Sequence, residues 1–474
     1  MKRQKRQIIL LLVSIIPESI LESTLIPLYP FIVRHLLPNE PESAIGYYTG
    51  MLGSAFYLPL FVMNLFWGSL SDRIGRKPVL VAGLVACLIT TVATGISSSY
   101  SMVVACRFIA GCFGANSTVV KGAIGDLSAR NQKLLAWGFT AYGSLFSMAG
   151  ILGPVLSAFL SNPVKLYPSW FAVNGMFAKY PYLLTCIFVA VVCLLSLLVT
   201  VALLLEKADS DYQRVSETAE SELSIRLDEI PRDSSMSRGE LHTSVEPGSP
   251  HIIRDESIGR FTELTSANEL HDMDPEFKLW SWKTIAPVIL YCIIAYTNMA
   301  YYTSIPLFFS ASRDFGGLNL TEQETSLSIT LGAAAKLAIQ LFVFRRLLFY
   351  LKGPVRTYRY GMALFIPAHF FAPLLVYAPS LILVPSSCIL MCLFGIAETL
   401  AYMSILMQIT ESAQQKHLGL AHGFASTMAA LVRTAGPGLT GNLWSFGVVM
   451  RMNWIVFAVG VFTASIGILF TYLD

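Results

Sequence analysis

One charged cluster between two long apolar runs constrains this chain more than any other feature. It is Gly68-Ser69-Leu70-Ser71-Asp72-Arg73-Ile74-Gly75-Arg76-Lys77-Pro78-Val79-Leu80. The run before it, roughly 45–67, and the run after it, roughly 79–97, are each apolar and close to the ~20 residues a helix needs to cross a bilayer. Charge placed between two such runs must return to water. The cluster therefore reads as a short, basic, glycine-hinged loop at a membrane face. Any basic loop would meet the positive-inside rule, but it would need neither Asp72 nor the glycines Gly68 and Gly75.

The pattern continues along the chain. Of 474 residues, 54% are hydrophobic and only 13% charged, where a soluble domain carries about 25% charged residues. Twelve candidate spans follow one another at about 8–33, 45–67, 79–97, 100–124, 134–160, 180–205, 284–309, 326–347, 358–379, 381–409, 420–444 and 453–472. The first apolar run is too long for a cleavable signal peptide, and Pro17, Pro27 and Pro30 predict a kink in it. The expected fold is an all-α membrane protein with twelve transmembrane helices in two pseudo-symmetric six-helix bundles, and its first partner is the lipid bilayer. A net charge of +3 gives no reason to expect nucleic acid. The eight cysteines sit inside apolar segments without CxxC or His/Cys ligand spacing, so they read as core residues, and neither a metal site nor a cofactor is expected. His369, His417 and His422 have no partner spacing either. No Walker sequence is present, so ATP drive is unsupported, and no catalytic constellation suggests an enzyme.

Basic residues set the orientation. Lys2, Arg3, Lys5 and Arg6 share a side with Arg73, Arg76, Lys77, Arg345, Arg346 and Lys352, while the other side has only Arg34, Lys165, Lys179, Arg313 and Arg451. The asymmetry predicts both termini in the cytosol. Residues 206–283 are rich in Ser, Thr, Glu, Asp and Arg and poor in aromatics, which predicts a disordered cytosolic linker. It divides the chain into an N-terminal bundle, 1–205, and a C-terminal bundle, 284–474. The halves resemble a degenerate repeat. Leu52-Gly53 followed by Gly75-Arg76-Lys77-Pro78-Val79 is echoed by Leu331-Gly332 followed by Gly353-Pro354-Val355. Gly150-Ile151-Leu152-Gly153-Pro154 in span five is echoed by Gly436-Pro437-Gly438 in span eleven.

Charge inside a span costs about 2.5–3.5 kcal/mol per group at the helix centre on insertion scales. A chain that keeps several such groups uses them or pairs them. Span one carries Glu18 and Glu22, four apart and on one helix face. Span four carries Arg107, Asn116 and Lys121, with Asp126 at its end; spans eight, ten and eleven carry Lys336, Glu398 and Arg433. Glu18, Glu22 and Glu398 are candidate proton carriers, and the cations opposite them can change partner as a proton or substrate arrives. Structural salt bridges between helices are the competing reading for the same residues. In span five Gly143, Ser147, Gly150 and Pro154 form a stripe of small residues that lets another helix approach closely.

The cluster at 68–80 resembles, in its order G-x-L-[AS]-D-R-x-G-R-K-x-x-L, the loop between helices 2 and 3 of major facilitator superfamily transporters. The resemblance implies that Gly68, Asp72, Arg73, Gly75, Arg76 and Lys77 form a gating loop. Arg107-Phe108-Ile109-Ala110-Gly111 fits that family's second motif, whose arginine is linked to proton coupling. Gly150-Ile151-Leu152-Gly153-Pro154 resembles its antiporter motif, although Ser157-Ala158 stands where Gly-Gly is usual. A narrower likeness covers nearly the whole chain outside the linker. Asn116-x3-Val120-Lys121-x4-Asp126, the run from Leu160 to Leu184, Phe315-Gly316-Gly317-Leu318 and Gly423-Phe424-x8-Arg433-x2-Gly436-Pro437 resemble zinc-induced-facilitator-like proteins and their fungal relatives, in the drug:proton antiporter branch.

These resemblances imply a secondary transporter, functional as a monomer in a vacuolar or plasma membrane. It would exchange protons for a small organic compound, metal chelate or cation, with Asn116, Lys121, Lys336 and Arg433 lining the cavity. An uncoupled facilitator, or a receptor that kept the fold, are the alternatives. Transport is favoured over a receptor by the intact cluster at 68–80 and by intramembrane charges expected to be unpaired. Asn319-Leu320-Thr321 is a glycosylation sequon on a loop expected to be non-cytosolic.

Overall fold

A computed structural model describes residues 2–128, 132–204, 281–412 and 418–472. The central linker expectation therefore lies almost wholly outside the described residues. The described part is helical, and Met1–Glu206 together with Trp282–Asp474 form one compact unit.

The N-terminal half runs α1 (Lys2–Leu25), α2 (Tyr29–Leu36), α3 (Glu42–Ile74), α4 (Arg76–Gly95), α5 (Tyr100–Phe113), α6 (Asn116–Ser128) and α7 (Gln132–Leu160), then two single turns, α8 (Pro163–Leu166) and α9 (Met176–Lys179), and α10 (Leu183–Leu203). The C-terminal half runs α11 (Trp282–Ser310), α12 (Glu322–Ala338), α13 (Phe344–Tyr350), α14 (Pro354–Phe371), α15 (Ser380–Ser412), α16 (Leu418–Met450) and α17 (Ile455–Phe470). Nine helical segments among the described residues are long and apolar enough to cross a membrane. With the 33-residue α3, the 33-residue α16 and the 16-residue α17 they make the twelve rods the sequence predicted. The seventh rod starts at Trp282.

Three rods are interrupted, each for a local reason. Pro27 lies within, and Pro30 just after, a 3-10 turn, Ile26–Leu28, that joins α1 to α2 as the prolines predicted. The fourth rod breaks at Gly114 between α5 and α6. The eighth rod contains a π-helical turn, Ile339–Val343, between α12 and α13. The cluster at 68–80, expected as a short glycine-hinged loop, is narrowed to one residue: α3 runs on to Ile74, α4 begins at Arg76, and Gly75 alone leaves the helix, at φ 95° and ψ 162°. Gly353 repeats this geometry before α14, at φ 123° and ψ 172°. Both lie in a region that only glycine occupies without strain, which is why the repeat survives in the glycines.

The halves meet along two seams, α3 with α16 and α7 with α12. In the first seam small residues allow backbone contact. A Cβ at Gly46 would fall 2.6 Å from the Gly441 carbonyl oxygen, one at Gly53 would fall 2.7 Å from Pro437 Cβ, and Gly50 sits directly against the Pro437 carbonyl. Pro437 has no N–H and loosens its own helix. Ser54 of α3 exploits the gap: its hydroxyl donates to the Thr434 carbonyl at 3.0 Å and accepts from the Gly438 N–H at 3.0 Å. In the second seam Ser147 bonds Gln340 at 2.9 Å, and a Cβ at Gly150 would lie 3.9 Å from Ala333. The stripe in span five does face another helix, as expected, while Gly153 packs on Ser23 and Thr24 of α1.

The seams close toward the face opposite the termini. Arg34 pairs with Glu42 and reaches Ser310 of the other half at 2.8 Å. Tyr47 N–H donates to Ser445 at 2.9 Å, and Tyr182 donates to Glu322 at 3.3 Å.

Candidate functional site

The first carboxylate pair projects from α1 into a small cavity lined also by Phe56, Cys87, Arg107 and Gly114. Glu22 accepts a hydrogen bond from the Tyr57 hydroxyl of α3. Glu18 makes no hydrogen bond among the described residues. It sits where Gly114 leaves room: a Cβ at Gly114 would be 3.3 Å from Glu18 Oε1. The charges of Glu22, Arg107 and Lys121 all reach it. Arg107 is 2% exposed. Its guanidinium stacks over Phe56, 4.3 Å from the ring centre, and faces Tyr29 at 5.7 Å. Two aromatic faces thus hold a buried cation within range of two acids. Lys121 lies over the ring of Tyr142 at 5.3 Å, and Tyr142 bonds Ser117 at 2.5 Å. Asn116 is buried against Gly83 of α4 rather than on the cavity wall.

The C-terminal half solves the same problem differently. Glu398 is 3% exposed and fully engaged. Lys336 Nζ lies 2.5 Å from its Oε1, Asn298 donates to the same oxygen at 3.1 Å, and Tyr302 donates to Oε2 at 3.0 Å. The expectation that the intramembrane charges are unpaired therefore fails for Lys336 and Glu398; burial of a carboxylate demands a counter-charge and hydrogen bonds, and α11 and α12 supply them. Arg433 donates to the Tyr402 hydroxyl, which bonds Tyr291 at 2.9 Å, so it is held at a helix–helix contact.

The sequence profile described as Major Facilitator Superfamily matches residues 11–437. The chain belongs to the Major Facilitator Superfamily. Zinc Induced Facilitator 1 of Arabidopsis thaliana is 24% identical over 434 residues, covering 92% of this chain and 83% of that protein. The multidrug transporter mfsB of Aspergillus fumigatus is 22% identical over 476 residues, covering 93% and 79%. Among solved structures, a D-xylose-proton symporter superposes with a TM-score of 0.65 at 13% identity, covering 97% and 96%, a likeness of fold.

In this facilitator chain the cluster at 68–80 is stapled within its own half. Trp67 Nε1 donates to the Cys112 carbonyl at 2.6 Å. Arg76 donates to Ser71 at 2.9 Å and lies so close to α6 that a Cβ at Gly122 would be 3.0 Å from its guanidinium. Arg73 is exposed and Lys77 half-buried. A Cβ at Gly68 would meet open space. The side chains of Asp72 and Asp126 lie outside the described residues. Asn319 is exposed, at φ 56°, on the turn between α11 and α12; Thr321 caps α12 in a capping box with Glu324. His369 is buried, bonded to the Phe365 carbonyl at 2.8 Å, which fits a packing role.

Sequence reasoning missed the tyrosines. Tyr57 and Tyr302 hold two carboxylates, and Tyr142, Tyr291 and Tyr402 surround Lys121 and Arg433. Each is one of 20 tyrosines in an aromatic-rich chain, so no local signal singles it out.

Proposed function

We propose that the chain is a proton-coupled antiporter that exchanges protons for a small organic compound, a metal chelate or a cation. The observation that carries this reading is Glu18: a carboxylate on a cavity wall, within reach of Arg107 and Lys121, yet making no hydrogen bond among the described residues. Such a group can bind a proton or a positively charged substrate without dismantling a network, and the two compete. Exchange follows when only the occupied carrier changes access. Glu22 shares that wall, and Arg107 is the cation that both acids feel. Glu398, Lys336, Lys121 and Arg433 are the further intramembrane charges of the proposed pathway. The names of the relatives, a zinc-induced facilitator and a multidrug transporter, agree with a small-molecule or metal-linked substrate. By the same reading the termini are cytosolic, the membrane is vacuolar or plasma, the monomer transports, Asn319 carries glycan, and the segment 68–80 latches the termini side through Asp72.

One observation favours a second reading. The Lys336–Glu398 pair is the arrangement expected of a structural bridge, and if Glu18 is equally passive the protein is an uncoupled facilitator. Uptake of ethidium and of a zinc–citrate chelate into proteoliposomes, with and without a pH gradient, separates the two. Glu18→Gln should lose gradient-driven uptake and keep counterflow. Retention of gradient-driven uptake by the Gln variants at 18, 22 and 398 would leave the facilitator.

A further inference from the structure

A second, small cavity lies between the halves on the sealed side of the carboxylates, and it is lined by Tyr57 and Tyr302. Tyr57 is the residue that bonds Glu22; Tyr302 is the residue that bonds Glu398. Two acids on different halves are thus each fronted by a phenol, and both phenols open on one cavity. The cavity is not purely apolar. Thr49 lines it, and the Thr49 hydroxyl is buried with no hydrogen-bond partner among the described residues. Tyr29 also faces it. Within this mostly apolar lining, an unsatisfied hydroxyl and two phenol oxygens offer the partners that ordered water requires.

We propose that Tyr57, water in this cavity and Tyr302 form a relay that passes a proton between Glu22 and Glu398, across the boundary of the two halves. The step balances by successive transfer. Protonated Glu22 gives its proton to the Tyr57 oxygen as Tyr57 gives its own to water. Water passes a proton to the Tyr302 oxygen, and Tyr302 gives its own to Glu398. One O–H bond breaks on Glu22 and one forms on Glu398; both tyrosines end neutral. The groups that face Glu22 are Glu18, Arg107, Arg433, Tyr29 and Tyr57. Those that face Glu398 are Lys336, Asn298 and Tyr302, with Tyr301 beside Tyr302. Neutralising Glu398 removes the counter-charge of Lys336. Lys336 stands three residues before the π-helical turn that carries Gln340, the partner of Ser147 in the second seam. The relay therefore delivers the proton where a released cation can act on the contact between the halves. Tyr57 and Tyr302 are the proton-passing links of this scheme.

The inference rests on the proton-coupled reading, so its test is read without substrate. Full-length protein in lipid vesicles is subjected to a pH jump from alkaline to acid, and the infrared carbonyl band of protonated carboxyl groups is followed in time. The component removed by Glu398→Gln reports Glu398. Tyr57→Phe and Tyr302→Phe keep the rings in place. Each should slow that component at least about tenfold while leaving its final amplitude within about twofold, and the double variant should be no slower than the slower single one. Thr49→Val should slow it in the same way. Rates in both Phe variants that match wild type would overturn the relay, as would a spectrum that Glu398→Gln does not change. A tyrosine-dependent band in a protein whose ethidium and zinc–citrate fluxes ignore the pH gradient would leave the relay and remove the antiporter.

Discussion

The two halves share a fold and diverge in how they bury charge. Among the described residues of the N-terminal half, Glu18 faces a cavity with no hydrogen bond, and Arg107 is held by the rings of Phe56 and Tyr29 rather than by a carboxylate oxygen. In the C-terminal half Glu398 has three donors, one of them a lysine at 2.5 Å. The hinges meanwhile are the same: Gly75 and Gly353 adopt matching backbone angles between their rods. Backbone geometry fixed by a forbidden region of φ/ψ persists through duplication, because a side chain there costs about 1–3 kcal/mol. A side-chain network can be rewired one residue at a time. The lesson is that one half carries a saturated acid and the other an acid left available.

The largest expected effect tests the saturated half. Lys336→Met strands Glu398 in the interior, and the loss should be about 3 kcal/mol, the low end for breaking a buried pair, read as a fall in the thermal midpoint in detergent. Lys336→Met with Glu398→Leu should recover most of it. A single Lys336→Met as stable as wild type would show that Asn298 and Tyr302 suffice.

Next come the hinges. Gly75→Ala and Gly353→Ala should each lose about 1–3 kcal/mol through backbone strain, and should lose similar amounts if the halves are equivalent there. A Cβ at Gly353 meets nothing within 4 Å, so its loss would come from strain and not from a clash. Unequal losses in the two variants would break the equivalence.

Smaller still is the clip between the halves. Ser54→Ala removes both hydrogen bonds of this clip to α16 beside Pro437, a loss of about 1–2 kcal/mol. It should be visible as faster thiol labelling of a cysteine placed at Tyr47, on the sealed face. Unchanged labelling would place the seal in the α7–α12 contact instead.

The smallest effect on stability belongs to Glu18→Gln. With no hydrogen bond to lose, the change should stay within about 0.5 kcal/mol, even as gradient-driven uptake disappears. A loss as large as that of Lys336→Met would mean that Glu18 is structural too, and the contrast between the halves would vanish.

Much of this molecule was legible in the linear sequence. Twelve apolar segments of bilayer length dictated twelve rods, because the hydrocarbon core leaves helices as the only way such segments satisfy their backbone groups. The prolines of the first span dictated its kink, and the glycines at 75 and 353 dictated where rods turn. The acids and bases were visible as costly residues in apolar runs. Their pairing was not. Lys336 and Glu398 are 62 residues apart and Ser54 meets Gly438 across 384, so no local pattern links them. Which acid is saturated, which tyrosine serves it and which small residues bring the halves together depend on how the rods pack, because contact distance and burial are properties of the assembled bundle.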